Sequence, residues 1–457
     1  MSTVAERYAE FAASLITAEI DDTVRHHAVR AVVDWMASAV PGGVIAPSTP
    51  ARKAIADQLG FGACRLIPDG SPATAQAAAL INGTASHTVE FDDIYRDGLY
   101  HPGAPTIAAA LAAAEFAGAS GEQFLRGVIA GYEVSNRIAV AVNPRHYDFW
   151  HTTATVGCFG AAAACSVILG LNAAQTAHAL ASSGTMAAGL QQAFRADAMS
   201  KPFHSGRAAE AGLLSARLAE QGVTGALDVL EGPRGFAKAM SAQEVDWQAA
   251  LADLGQDWTI TRMTFKNHGA CGHVHAAVDA AQHLVKEHGI AVSDIARIIV
   301  GSYGKSVEIC GNPTPKTDFE AKFSLPYCVA AGLVLGSVRR AAFEPEALAN
   351  TDIRALASKV DHSVDEGCEA AFPKARSAKV AIETVDGNRV EHFAPTRRGD
   401  PDSPLSDEEL SGKFNELAGP IIGEQASADL LQKLWGLSEL DNISALTTAQ
   451  PHQAAAE

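Results

Sequence analysis

Ionisable side chains are concentrated between His87 and His101, a stretch flanked by the alanine-rich runs 75–80 and 107–114. Ionisable groups are rarely buried unless they are paired or used in chemistry, so acids and histidines set between two apolar helical runs indicate a functional site. Like charges placed close together can also keep one carboxyl protonated as a general acid. The alternative is a solvated loop whose acids cap the next helix. The candidate residues are His87, Glu90, Asp92, Asp93, Asp97 and His101.

Two further polar clusters lie near predicted helix starts. Tyr147 and His151 precede an alanine- and glycine-rich helix, whose free N–H groups and positive potential suit a carboxylate ligand. They can form an acid/base pair or a substrate clamp, or His151 can pack while a neighbouring threonine caps the helix. Lys201 and Arg207 flank His204, and a partly buried lysine can act as a base or hold a carboxylate. An exposed loop is the alternative for this cluster.

The stretch 266–275 combines three histidines with a lysine and a cysteine. This density permits a metal site, but no second cluster stands at zinc-finger spacing, so no metal is expected. A catalytic or substrate-binding role is preferred for Lys266, His268 and His275. Tyr327, at the start of a later predicted helix, is expected to reach the same cleft; the alternative is a half-buried core tyrosine.

Helices must hold most of these clusters. Apolar residues make up 47% of the chain and aromatic residues only 6%, and alanine, which has the highest helix propensity, is abundant. Capping-box spacing after Ser120 and Asn172 marks two helix starts. Helices are predicted at 5–40 (as two), 50–60, 72–82, 105–118, 121–141, 152–170, 173–190 and 206–221.

The pattern changes near residue 260. The segment 296–303 is rich in β-branched residues and predicts a strand, and 378–393 predicts a hairpin that turns at Asp386–Gly387. Further helices are predicted at 326–335, 345–359, 406–418 and 427–435.

These elements predict a mainly α fold with an α+β second domain. The large helical domain is expected to come from both chain ends, 1–264 and 399–457, and the smaller α+β lid from 265–398. A cleft between two such domains is the natural place for a site.

Composition narrows the classes of partner. The net charge is −17, whereas nucleic acids select basic faces, so no nucleic acid is expected. Seven cysteines, an odd number without a C-x-x-C pair, argue against a disulfide framework and fit a reducing cytoplasm. We see no signal peptide and no apolar run long enough for a bilayer, so no membrane partner is expected. Neither a dinucleotide fingerprint nor an iron–sulfur cysteine spacing is present, so no cofactor is expected.

Four ordered motifs resemble the MmgE/PrpD family, which includes 2-methylcitrate dehydratase, cis-aconitate decarboxylase and iminodisuccinate epimerase. They are Glu90-Phe-Asp-Asp with His101-Pro-Gly, Lys201-Pro-Phe-His-Ser-Gly-Arg, Cys271-x-x-x-His275, and Glu320-Ala-Lys-Phe-Ser-Leu-Pro-Tyr327. The resemblance spans about residues 5–435. It implies a helical domain made from both chain ends, a smaller α+β lid and, usually, a homodimer.

The resemblance also implies which residues form the active site. Glu90 stands where the decarboxylases of the family have aspartate, and Ile94 where they have threonine, so the resemblance leaves the reaction open. The implied active-site groups are Asp93, His101, His151, Lys201, His275 and Tyr327.

The predicted function is a cofactor-independent lyase, similar to 2-methylcitrate dehydratase, that removes a proton next to a carboxylate of a small di- or tricarboxylate. Histidine, lysine and tyrosine would move protons, and cations would hold the charge. The alternatives are an epimerase of an amino- or imino-dicarboxylate, a cis-aconitate-type decarboxylase, a metal-dependent hydrolase built on 266–275, and a non-enzymatic helical scaffold. The expected substrate-binding residues are Glu90, Tyr147, His204, Arg207, Lys266 and His268.

Overall fold

The computed structural model describes residues 2–194, 198–372 and 374–447. The chain divides into two compact units. Unit 1 consists of the residues up to Phe265 and from Ser406 onward, and unit 2 is Lys266–Leu405. Residues 448–457, which the sequence assigns to the helical domain, lie outside the described residues.

The N-terminal part of unit 1 is a succession of helices with one short hairpin. Ser120 and Asn172 both form the capping boxes that their spacing predicts. The helices are α1 (Val4–Ser14), α2 (Asp22–Gly42), α3 (Ser48–Ala54), α4 (Ala75–Ser86), α5 (Gly103–Ala117), α6 (Gly121–Val142), α7 (Thr152–Thr155), α8 (Gly157–Ile168), α9 (Ala173–Gly184), α10 (Lys201–Glu220), α11 (Phe236–Met240) and α12 (Trp247–Leu251), and the strands are β1 (Leu59–Arg65) and β2 (Pro72–Ala73).

Small residues let the central helices of unit 1 approach closely. Helix α5 is buried from Gly103 to Glu115, and α10 packs on α4, α5 and α8. A Cβ on Gly83 of α4 would lie only 2.9 Å from the Cα of Gly206 on α10. This contact brings the C-terminal end of α4 close to the N-terminal half of α10, and both of these helix ends carry predicted site residues.

Unit 2 contains the second domain's helices and strands. They are α13 (His275–His288), β3 (Ile295–Ser302), α14 (Gly304–Cys310), α15 (Asp318–Lys322), α16 (Leu325–Leu335), α17 (Pro345–Ala349), α18 (Thr351–Ala357), β4 (Val360–Val364), α19 (Glu366–Ala371), β5 (Ala378–Thr384) and β6 (Arg389–Ala394).

The four strands β3–β6 form one mixed sheet in the order β4-β3-β5-β6. Strand β4 pairs parallel with β3, and the other two pairs are antiparallel. The predicted hairpin is present, and Gly387 takes a φ of 87° in its turn, a conformation that glycine adopts without a Cβ clash. Helix α13 packs on β5, β6 and α16. The fold is therefore mainly α with a smaller α+β part, as predicted.

The chain then returns to unit 1 as α20 (Asp407–Ile422), α21 (Glu424–Trp435) and α22 (Ser444–Thr447). Helix α20 packs along α2. Arg30 of α2 pairs with Asp407, and Lys413 of α20 pairs with Asp34 at 2.6 Å in a fully buried position. These pairs fix the C-terminal helices to the N-terminal part of the unit.

The structure differs from the sequence predictions at a few element ends. The predicted helix 50–60 stops at Ala54, and a short 3-10 turn (Ala56–Gln58) leads into strand β1. In β1, Gly60 and Gly62 take φ values of 85° and 105°, which a right-handed helix does not allow. The predicted helix 345–359 is two helices, since the Asn350 side chain accepts from two backbone N–H groups and caps the second. Within the described ranges, no helix has both the length and the apolar character that a membrane crossing requires.

Candidate active site

The acids predicted to be functional lie in a turn that joins α4 to α5, which we call the acid turn (87–102). Glu90 has a φ of 62°, which is uncommon for a residue with a Cβ and is retained only where the surroundings impose it. Contacts with other elements hold the turn. The Asp93 Oδ1 accepts from the Gly103 N–H at 3.0 Å, and the Lys413 Nζ donates to the Phe91 carbonyl at 2.9 Å.

Asp92 joins two histidines at the centre of the acid turn. Its Oδ2 lies 2.6 Å from the Nδ1 of His87 and 3.1 Å from the Nδ1 of His101. The His101 Nδ1 also lies 2.7 Å from the Asp93 carbonyl oxygen. Carboxylate and carbonyl oxygens only accept, so Nδ1 is the donor in both rings. In the neutral tautomer, each ring then carries its basic lone pair on Nε2.

Four histidines form a continuous row of ring contacts, which we call the histidine row. Ring centroids are 5.2 Å apart for His101 and His87, 5.5 Å for His87 and His151, and 5.2 Å for His151 and His204. The Nδ1 atoms of His151 and His204 are 3.0 Å apart, so one donates to the other. His101, with 16% of its side chain exposed, and His204 are the more accessible members, while His87 and His151 are buried.

The environment keeps two members of the row uncharged. Burial, followed by the charges of His87 and Lys201, holds the pKa of His151 well below its ordinary value. Burial also lowers the pKa of His204 to about 4. Both rings are therefore neutral near pH 7, which allows them to accept a proton or pass one on.

Lys201, at the start of α10, supplies a cation next to this row. Its Nζ pairs with Glu90. Burial lowers the pKa of Lys201, but the charges of Glu90 and Asp92 outweigh burial and the net shift is upward. The half-buried Tyr147 is also close enough for its phenol to raise this pKa. A protonated lysine in this position can hold a carboxylate or a developing negative charge.

Two predicted site residues of unit 1 occupy other positions. The carboxyl of Asp93 accepts from the Tyr132 hydroxyl at 2.7 Å as well as from Gly103, so its side chain supports the acid turn, and Asp92 makes the contacts to the histidines. Burial and the charge of Asp34 raise the pKa of Asp93 to about 8. The side chain of Arg207 is 66% exposed and pairs with Glu210, so it points to solvent.

In unit 2, the predicted histidines form a second, separate network. The His268 Nε2 lies 2.8 Å from the Asp279 Oδ1, and its ring meets the ring of His275 edge-on with centroids 5.2 Å apart. The His275 Nε2 donates to the Ala270 carbonyl at 3.0 Å. Burial holds the pKa of His275 well below its ordinary value, and Lys266 is also buried.

Tyr327 lies in the hydrophobic core of unit 2 rather than at these histidines. Its side chain is 1% exposed, and its hydroxyl donates to the Ala342 carbonyl at 2.6 Å. This position corresponds to the core tyrosine that the sequence left as the alternative, so its proposed catalytic role has no support from its contacts.

One group of residues in the described part of the chain has the composition of a metal site: His87, Asp92 and His101, whose candidate ligand atoms lie within 4.8 Å of one another. The His87–Asp92 separation of 2.6 Å is a hydrogen-bond distance, shorter than the ~3.3 Å that separates two tetrahedral ligands at zinc distances of about 2.0 Å. The arrangement therefore fits hydrogen bonding and proton transfer better than metal ligation. The 266–275 cluster does not form such a group among the described residues.

The sequence did not reveal every residue of the site. His87 and Asp92 are among the candidates in the acidic stretch 87–101. Nothing in their spacing, however, distinguishes them from Asp93. Tyr132 and Lys413 lie 39 and 322 residues from their partners in the acid turn. No local pattern indicates contacts at such separations.

The comparisons agree with the predicted family and fold. The model of the MmgE/PrpD N-terminal domain matches residues 6–248, and that of the MmgE/PrpD C-terminal domain matches 268–437. The cis-aconitate decarboxylase-like protein oryM of Aspergillus oryzae is 27% identical, over 94% of this chain and 93% of its own length. Human cis-aconitate decarboxylase is 29% identical over 81% of this chain and 78% of its own. The Aspergillus terreus cis-aconitate decarboxylase is 26% identical, over 97% of this chain and 95% of its own length. With both domain models matched in order along the chain, this protein belongs to the MmgE/PrpD family.

Proposed function

We propose that this protein is a cofactor-independent lyase that acts on a small tricarboxylate by proton transfer at a carbon next to a carboxylate. The observation that carries the proposal is the Lys201 cation beside a row of histidines, two of which are held neutral. A carbanion next to a carboxylate needs a positioned proton donor or acceptor and a cation for the developing charge. The names of the relatives, cis-aconitate decarboxylases, support a tricarboxylate substrate.

Each side chain has a role in this proposal that follows from its contacts. Lys201 exchanges Glu90, which is 41% exposed, for a substrate carboxylate. His101 moves the proton through Nε2, since its Nδ1 is held by Asp92 and the Asp93 carbonyl. The Asp92 carboxylate stabilises the imidazolium that forms, as the buried aspartate does in a hydrolase triad.

Among the lyase reactions, we propose decarboxylation ahead of the dehydration expected from the sequence, because the relatives named above are decarboxylases. The bond to the departing carboxylate breaks and CO2 leaves. The electron pair moves through the neighbouring double bond to a carbon next to a remaining carboxylate, and an imidazolium protonates that carbon. Dehydration of a hydroxy-tricarboxylate such as 2-methylcitrate needs the same groups, with a proton removed from carbon and another given to the leaving hydroxyl.

A substrate comparison in deuterated water distinguishes these reactions. The purified protein is incubated with cis-aconitate or with 2-methylcitrate and followed by NMR. Decarboxylation predicts loss of CO2 from cis-aconitate and an unsaturated dicarboxylate with one carbon-bound deuterium. If only 2-methylcitrate reacts, and gains a new double bond, the proposed reaction is dehydration and not decarboxylation. Inertness of both compounds would refute the proposal.

A further inference from the structure

Unit 2 contains a pair of arginines that the histidine network does not use. The guanidinium groups of Arg376 and Arg397 converge above Gly272. A Cβ on Gly272 would lie 2.8 Å from the Nη1 of Arg397 and 3.1 Å from the Nη1 of Arg376. Two guanidinium cations therefore converge on the backbone at Gly272, and a side chain at this position would displace them.

One carboxylate serves this pair, and Arg397 already binds it. The Arg397 Nη2 lies 2.7 Å from the Asp400 Oδ1, and its Nε lies 3.2 Å from the Asp400 Oδ2. Arg397 and Asp400 are each 2% exposed. Arg376 is partly buried, and its side chain makes no hydrogen bond and no ion pair with any described residue. A partly buried cation has lost some of its hydration, so an anionic partner would stabilise it.

The charge of Asp400 also acts on Arg376, whereas the other polar neighbours are a tyrosine and a histidine. The ring of Tyr303 stacks on Phe372 with centroids 4.4 Å apart, and the Tyr303 hydroxyl bonds to the Nδ1 of His273 at 2.7 Å. Burial, together with the adjacent charges of Arg376 and Arg397, lowers the pKa of His273 to about 4. Burial and the charge of Arg397 also lower the pKa of Arg376, so the two guanidinium groups repel each other.

We propose that Arg376 and the Nη1 of Arg397, which converge beside Gly272, form a binding site for a carboxylate group of a small polycarboxylate. The planar guanidinium fork matches a carboxylate in a bidentate geometry, and such pairs are among the stronger hydrogen bonds in proteins. A bound carboxylate would neutralise the repulsion between the two arginines. The choice of a carboxylate over another anion rests on the proposed function.

The test measures binding rather than turnover. Propane-1,2,3-tricarboxylate, which has no double bond and no hydroxyl, is titrated by calorimetry into the wild type, Arg376→Met and Gly272→Ala. We expect the Kd to rise at least tenfold in both variants, since Arg376→Met loses a charge and the added Cβ of Gly272→Ala displaces both guanidinium groups. The control is Arg340→Met, which removes an exposed arginine of the same unit that pairs with Glu344 and should leave the Kd unchanged.

Thermal unfolding of the ligand-free variants separates a binding role from a structural one. Removing one of two like charges should leave the Tm of Arg376→Met equal to or above that of the wild type. An unchanged Kd in Arg376→Met, or equally tight binding of inorganic phosphate, would overturn the assignment. Arg376-dependent binding in a protein that converts no tricarboxylate would keep this inference and refute the proposed function.

Discussion

The buried pair of Lys413 and Asp34 allows one quantitative prediction about how the two chain ends support the site. The Lys413 Nζ lies 2.6 Å from the Asp34 Oδ1 and 2.9 Å from the carbonyl of Phe91, and both charged side chains are fully buried. Phe91 stands between Glu90 and Asp92 in the acid turn. Lys413→Met keeps most of the side-chain volume but removes the charge and the donor.

The size of the effect follows from burial. Removing one partner of a buried ion pair costs about 3–5 kcal/mol, because the other charge remains in a low dielectric, whereas replacing both partners with apolar groups is often neutral. We therefore expect Lys413→Met to lower the free energy of unfolding by that amount and Asp34→Leu/Lys413→Met to recover most of it. Turnover should stay at least about tenfold low in both, since a lost donor worth about 1.4 kcal/mol in the transition state reduces the rate by that factor.

The assay combines urea unfolding, followed by circular dichroism, with initial rates on the best tricarboxylate. The matched control is Lys305→Met, which breaks an exposed pair with Glu308 and should change the unfolding free energy by no more than about 1 kcal/mol. A double variant that regains wild-type turnover would refute the positioning role of Lys413. If Lys413→Met is as stable as the control, the expected cost of removing one partner of the buried pair is wrong.

Further predictions concern individual side chains. His101→Asn should lower kcat about a hundredfold, whereas Arg207→Ala should change kcat by no more than about twofold. Initial rates measure both values, and equal effects of the two substitutions would contradict the placement of the site. Tyr327→Phe should lower the free energy of unfolding by about 1–2 kcal/mol, because the Ala342 carbonyl loses its donor, with kcat unchanged; a large loss of kcat would restore its catalytic role. Burial lowers the pKa of His146 to about 4, so the unfolded state binds more protons between pH 6.5 and 4. Stability should fall as the pH drops through that window, by about 3 kcal/mol from this residue, and urea unfolding of His146→Gln should show a smaller fall.

Local signals in the sequence predict much of the fold. The capping residues Ser120 and Asn172 mark helix starts that the structure contains, and Asp386–Gly387 marks the hairpin turn. Strand β1 is not predicted: its first two residues fall at the end of the predicted helix 50–60, and Gly60 and Gly62 take positive φ values. This strand pairs with Pro72–Ala73, a contact between residues too far apart in sequence for a local pattern to predict.

The candidate site is predicted less completely, for a geometric reason. Lys201 and His204 are three residues apart on α10 and share a face, whereas Arg207 is a further three residues along and turns away, since each residue rotates by about 100°. The predicted helix begins at residue 206, so Lys201 and His204 lie outside it and their shared face cannot be predicted. The observed helix begins at Lys201. The supports of the acid turn, Tyr132 and Lys413, come from α6 and α20 and need the tertiary fold to be seen.

The proton that the proposed site delivers to carbon can be followed directly. Wild type, Lys201→Met and the exposed control Lys305→Met are incubated with cis-aconitate in deuterated water, and NMR records deuterium at carbon together with release of CO2. We expect wild type and control to form a singly deuterated unsaturated dicarboxylate at equal rates and Lys201→Met to be slower by about a hundredfold or more. Equal rates in all three proteins would contradict the role of this cation and, with it, the proposed site.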